Sequence, residues 1–225
     1  MNYLTDNASL AHLDECTRHI AVAPLPEANP ADVRGSILIE VNVPALSPRT
    51  WDAISTRNAL NAWFAPVTGD FRRGGTYHVS TTSWGTILEI VPERRFSATW
   101  NFDDRTSILN VDLTPPFEPE LEETSTLISV AHGSDLRSRD WNDYGVLAVG
   151  AAWDAMLFKL SSFLSAPADT DPAANIRDWE ASNEASSFMR ESLRRWTAAT
   201  IDYGVDEATA QAMHERSLEA LSADE

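Results

Sequence analysis

The stretch DYGVLAVGAAWDAMLFKLSSFL, residues 143–164, decides the fold. Val146, Val149, Trp153, Leu157, Leu160 and Leu164 recur in it at steps of three and four, which lines one face of an α-helix with apolar groups. So apolar a helix needs a surface to bury against, and the sequence upstream supplies one. Alternating and β-branched runs predict strands at 76–81, 85–91, 96–102, 107–114 and 125–132. Gly74-Gly75, Pro92-Glu93, Asp103-Asp104 and the proline-rich segment 114–119 separate them. Consecutive strands with short connections make an antiparallel meander. Further upstream, Ile37, Ile39, Val41 and Val43 alternate with Leu38, Glu40 and Asn42, a half-buried strand by its period of two. Ser47-Pro48 then opens a helix, with serine as the cap and proline in the first turn. That helix runs through Trp51 and Ile54, and a second carries Leu60, Trp63 and Phe64. The expected architecture is α+β, a curved antiparallel sheet wrapped around one long helix.

Outside this core lie two flanks. Residues 1–35 form a polar arm with one β-like stretch at 18–23 and a proline-marked loop at 24–34. Residues 166–225 begin with a linker, APADTDP at 166–172, and continue as a predicted helical hairpin. Asp171-Pro172 opens its first helix, which carries Ile176, Trp179, Met189, Leu193 and Trp196. Gly204 suits the left-handed position that ends a helix, and Asp206 caps the next one. That much apolar surface must pack on the 36–165 domain or on a second subunit.

Within 36–165 a family resemblance becomes readable. Its pieces are Trp51-Asp-Ala-Ile54, Trp63-Phe64, GDFRRGGTY at 69–77, GTILEIVP at 85–92, RFSATW at 95–100, and Thr126 through His132-Gly133, followed by the helix with Trp153 and Leu157. In this order they resemble the SRPBCC (START-like) superfamily, in the branch of heat-shock protein ATPase activator homologues. The resemblance implies a helix-grip fold with a cavity between sheet and helix. It leaves activity open, since such folds serve lipid carriers, cyclases, stress-response proteins and co-chaperone-like modules alike. One departure stands out: a glycine directly precedes the helix tryptophan in the family, whereas here Gly150-Ala-Ala separates the two.

Composition narrows the classes. The formal net charge is -17, from 34 acidic and 17 basic residues. Such a surface repels nucleic acid and anionic membranes, so neither is an expected partner. No run in the sequence reads as the ~18 apolar residues of a membrane span. Cys16 is the only cysteine, which excludes an intramolecular disulfide and fits a reducing cytoplasm. Five histidines, at 12, 19, 78, 132 and 214, show no metal-ligand spacing, no Gly-x-Ser-x-Gly elbow occurs, and GDFRRGG lacks a phosphate-loop ending. Neither metal nor cofactor is expected. Lys159 is the only lysine, the sole candidate for Schiff-base chemistry.

The candidate ligand-binding residues are Trp63, Phe64, Trp84, Trp100, Trp141, Trp153 and Leu157, because aromatic walls with one polar N–H orient apolar guests. For any single tryptophan plain core is the commoner role; Trp84 and Trp141 are the ones expected at a rim. Weaker acid–base candidates are His78, Glu89 and Asp103, with Asp112 and His132 behind them. Glu89 shares a strand face with Ile87 and Val91, so it points either to solvent or into a polar spot of the cavity. The expected function is binding of an apolar small molecule, lipid-like or aromatic, without catalysis. The alternatives are a protein-interaction module, with a protein partner or a homodimer, and a cyclase-like enzyme.

Overall fold

The computed structural model describes residues 6–25, 31–103, 105–115 and 124–223. Parts of the expected breaks at 24–34, 103–104 and 114–119 lie outside the described residues.

Eight antiparallel strands form one sheet in the order β1-β2-β8-β7-β6-β5-β4-β3. They are β1 (Thr17–Pro24), β2 (Val33–Val43), β3 (Val67–Gly69), β4 (Thr76–Val79), β5 (Ser83–Val91), β6 (Arg95–Phe102), β7 (Arg105–Thr114) and β8 (Thr126–Leu136). The period of two in β2 does what it predicts: Ile37, Ile39, Val41 and Val43 are buried. They pair across to β8 with Ile39 opposite Val130 and Val41 opposite Ile128, so one apolar face runs through consecutive strands. Helix α5 (Leu147–Ser165) lies on that face, and its Leu147, Ala151, Leu157, Leu160 and Leu164 are buried with it. By length and composition α5 could cross a membrane, contrary to the sequence reading, yet most of it is buried inside the fold and it carries Asp154 and Lys159.

Several elements depart from expectation. Residues 6–15 form helix α1 (Asp6–Glu15) rather than an irregular arm. Its packed face includes Ser9 and His12 beside Leu13, all buried, so no apolar stripe announces it. Helix α2 (Ser47–Ser55) is preceded by Leu46 as its cap residue, and the Ser47 hydroxyl lies 3.4 Å from that of Thr126 instead of capping. Helix α3 (Arg57–Trp63) follows after Thr56. The helix expected from residue 143 is two: α4 (Ser138–Tyr144) ends at Gly145, whose φ of 56° turns the chain before α5 begins. Beyond the linker there are three helices, not a hairpin of two: α6 (Pro172–Glu180), α7 (Asn183–Tyr203) and α8 (Glu207–Ala223). The unforeseen break follows Ala181, where Ser182 caps α7 through the Ala185 N–H. Gly204, at φ 114°, and Asp206, accepting from the Thr209 N–H at 3.0 Å, act as expected.

The C-terminal helices dock on the same chain. The indole of Trp196 on α7 lies so close over Gly150 that a Cβ there would sit 2.4 Å from the ring. This gives Gly150 its reason: three residues before Trp153, it lets α7 approach α5. Asp154, one turn on, is a buried acceptor for Arg18 of β1 (3.0 Å to each oxygen), Ser192 (2.5 Å) and Trp196 (3.0 Å) of α7. Burial pushes its carboxyl upward, opposed by Arg18 and the other donors. Among the described residues its four hydrogen bonds all come from donors, which favour the ionised form against that burial. The free edge of β1 is blunted as well. The Tyr203 hydroxyl accepts from the Val22 N–H at 3.1 Å and donates to the Val22 carbonyl at 3.2 Å.

Candidate functional site

An apolar cavity of about 120 Å³ lies between the sheet and α5. Strands β4 to β8 contribute inward side chains such as Tyr77, Ile87, Phe96 and Trp100; α5 contributes Trp153, Met156 and Leu157; α2 and α3 close one end through Ile54, Leu60 and Trp63. Rings meet edge to face around it: Phe64 with Trp100 at 6.2 Å, Tyr77 with Trp100 at 6.4 Å, and Phe71 with Phe96 at 5.4 Å.

Three polar tips of this wall are bonded to protein. Trp63 Nε1 donates to the Ala53 carbonyl at 2.9 Å, and the Tyr77 hydroxyl to the Thr99 carbonyl at 2.7 Å. Burial pushes the Tyr77 phenol up to about 12. Trp153 Nε1 donates to His132 Nδ1 at 2.9 Å, which fixes the tautomer, because an indole N–H cannot accept. His132 Nε2 therefore carries the proton, given to Ser107 Oγ at 2.7 Å, and Ser107 donates onward to the Trp100 carbonyl at 3.0 Å. Burial takes this imidazole down to about 4. The chain from Trp153 through His132 to the backbone of Trp100 thus orients two cavity walls. His132 stands within β8, opposite Ile37 and Leu109, and not at a strand end as its neighbour Gly133 suggested.

Trp63, Phe64, Trp100, Trp153 and Leu157 line the cavity. The other two ligand candidates do not. Trp84 alternates with the inward Ser83 and Gly85 and stands 50% exposed on the outer face of the sheet. Trp141 sits on α4 over Gly35, within 3.5 Å of where a Cβ would be. The acid–base candidates are not brought together either. His78 is exposed on β4, and Asp103 is exposed at a turn with φ 55°. Asp112 is exposed on β7. Glu89 leaves the inner face because a bulge between Ile87 and Glu89 shifts the register, and it pairs with Arg95 at 2.8 Å in solvent. Lys159 is buried away from the cavity and bonded to Glu180 at 2.7 Å. Cys16 and His12, 3.6 Å apart, are an inert pair: burial pushes the thiol up to about 12 and the imidazole down to about 4.

Sequence reasoning missed Phe71, Arg57 and Thr68, which also line the cavity. Phe71 was hidden in a glycine-rich turn, and Thr68 belongs to β3, a three-residue strand too short to show a period. Among the described residues no three metal-binding side chains gather.

A curved antiparallel sheet closed over a long helix, with an apolar cavity between them, defines the helix-grip, START-like class. Within it, the chain belongs to the family described as activator of Hsp90 ATPase homolog 1-like protein, which matches residues 46–165. Among curated proteins none matches. Among solved structures, CalU16 from Micromonospora echinospora is similar in its crystal form, with 22% identity over 83% of this chain and 98% of that one and a TM-score of 0.60. Its solution structure gives 23%, 83%, 96% and 0.63 in the same terms. A conserved protein of unknown function from Enterococcus faecalis, EF2215, has 13% identity over 86% and 97%, with a TM-score of 0.56. These likenesses show the fold. They span more of the chain than the family match does, so the fold shared with them reaches beyond residues 46–165.

Proposed function

We propose that this protein binds a small apolar molecule in the cavity between the sheet and α5. The observation that carries the reading is an apolar void whose wall aromatics Trp63, Tyr77 and Trp153 already have their polar tips bonded to protein, so the surface they present offers apolar contact. Its volume decides the scale of the guest. About 120 Å³ is close to the ~150 Å³ of an apolar cavity that takes up benzene, and well below the ~300 Å³ at which drug-sized sites begin. One aromatic ring or the end of an acyl chain fits; a polycyclic ligand requires the wall to move.

Titration with toluene, cyclohexane and hexanol, followed by tryptophan emission, tests this directly. Saturable quenching is expected, since Trp63, Trp100 and Trp153 line the void. An unchanged emission with all three probes would sink the binding reading. A protein-partner reading draws on the outer face of the sheet, where Trp84 and Ile108 stand exposed. It also draws on the Hsp90 ATPase activator in the family's description. Under that reading Trp84→Ala weakens capture of an Hsp90-type ATPase and leaves toluene binding intact.

A further inference from the structure

The cavity is apolar except at one end. There α2 stops at Ser55, α3 starts at Arg57, and β3 brings Thr68 and Gly69 to the rim. Among the described residues Arg57 is the only formally charged side chain on the wall. It is exposed, and its Nη2 donates to the Gly69 carbonyl at 3.1 Å, across the rim. No carboxylate pairs with it among the described residues, although the chain has 34 acidic side chains to offer. A guanidinium has five N–H donors in a planar fork, so one backbone contact leaves most of it free. In the turn after β3 only Phe71 reaches the cavity wall, while Arg72 pairs with Asp70 at 3.4 Å in solvent. Arg57 therefore puts a cation at the mouth of an apolar cavity, on a protein whose net charge is -17.

Gly69 is built for its part. Its φ is 109°, and a Cβ there would lie 2.2 Å from the Thr76 carbonyl oxygen, so only glycine brings this carbonyl to the rim.

We infer that the ligand is an amphiphile, a single ring or short chain ending in a carboxylate, with its apolar part in the cavity and its anion on Arg57. This rests on the cavity-binding reading above and names the chemical class that site selects. The carboxylate takes the fork bidentately and replaces or shares the Gly69 carbonyl contact. An apolar cavity wall and one cation at the mouth complement such a molecule at both ends. A neutral analogue keeps the apolar contact and loses the charge-assisted pair.

The test compares matched acids and amides: 3-phenylpropionate with 3-phenylpropanamide, and octanoate with octanamide. Kd is read by tryptophan emission at pH 7.5, in low and in high salt. The acid of at least one pair is expected to bind about tenfold more tightly than its amide at low salt, with the preference shrinking as salt rises. Which pair binds better tells ring from chain. Arg57→Gln removes the preference and Arg57→Lys keeps part of it, with melting temperatures confirming that both variants fold. Equal affinities of acid and amide in the wild type, or a preference that survives Arg57→Gln, overturns the carboxylate assignment and leaves cavity binding standing. Failure of all four compounds to bind overturns both.

Discussion

His132 holds two cavity tryptophans through one neutral imidazole, and that neutrality has a pH signature. Its pKa falls from an ordinary 6.5 to about 4 on folding, as does that of His12. Between these values the unfolded chain binds protons that the folded chain refuses. The stability both residues support is therefore complete above pH 6.5 and drains away as the pH falls toward 4. Each can account for on the order of 3 kcal/mol when fully titrated. Denaturant midpoints at pH 8, 6.5 and 5 should fall with acidity. His132→Leu should be less stable at pH 8, because Trp153 loses its acceptor, yet show roughly half the acid slope. A variant slope equal to the wild type's would remove His132 from this role. Gly150 makes a second test at the same scale. Gly150→Ala places a methyl 2.4 Å from the Trp196 ring, in a site with no room for rearrangement because Trp196 is fully buried. A loss of about 1–3 kcal/mol is expected by chemical denaturation, although alanine is the better helix former. A stabilised variant would mean that α7 does not sit on α5 as described.

Among the elements, those with a strong period were legible and those shaped by contacts were not. The stripe of α5 and the alternation of β2 follow from burying one face, and both stand where expected. Helix α1 carries no such stripe, because two of its buried positions are polar residues, Ser9 bonded to Glu184 and His12 set against Cys16 and the Phe158 ring. The bulge in β5 was equally silent. Counting by twos from Ile87 puts Glu89 inside, and only the register against β6 shows that it turns out to meet Arg95. Cavity walls drawn from the long elements, Trp100 on β6 and Trp153 with Leu157 on α5, were therefore readable. Trp84 and Trp141 were not, since aromatic character does not say which face a residue occupies. At this scale the Arg18–Asp154 cluster joins three elements, β1, α5 and α7, and can be tested as a joint. Asp154→Ala leaves Arg18, 8% exposed at its side chain, without its counter-ion. About 3–5 kcal/mol should be lost in a thermal or denaturant melt. The double substitution Arg18→Met with Asp154→Leu should recover a large part of that loss. Additive losses in the double variant would show that the two charges do not act as a pair.

For the whole molecule, the question is whether residues 166–225 are an appendage or part of the fold. In the structure they complete the core. Trp196, Phe188 and Leu193 of α7 are fully buried, as is Met213 of α8. Burying side chains of this size stabilises by roughly 1.5–3 kcal/mol each. Removing these helices also strips Ser192 and Trp196 from Asp154, exposes Leu147 and Ala151 on α5, and uncovers the outer edge of β1. A domain is typically stable by only ~5–15 kcal/mol, so losses of this size are not survivable by addition alone. Truncation after Ser165 is thus expected to give a chain that binds a hydrophobic dye, loses its sharp melting transition and aggregates through the freed β1 edge. The shorter truncation, after Tyr203, removes α8 alone among the helices; it uncovers Met213's site beside Gly145 and should leave a folded protein of lower melting temperature. Size-exclusion chromatography with near-ultraviolet circular dichroism separates the cases. If the chain ending at Ser165 keeps a cooperative melt and native tertiary signal as a soluble monomer, the family-matched stretch needs no support from α6, α7 and α8. The contacts at Gly150 and Asp154 would then be consequences of docking and not conditions for folding.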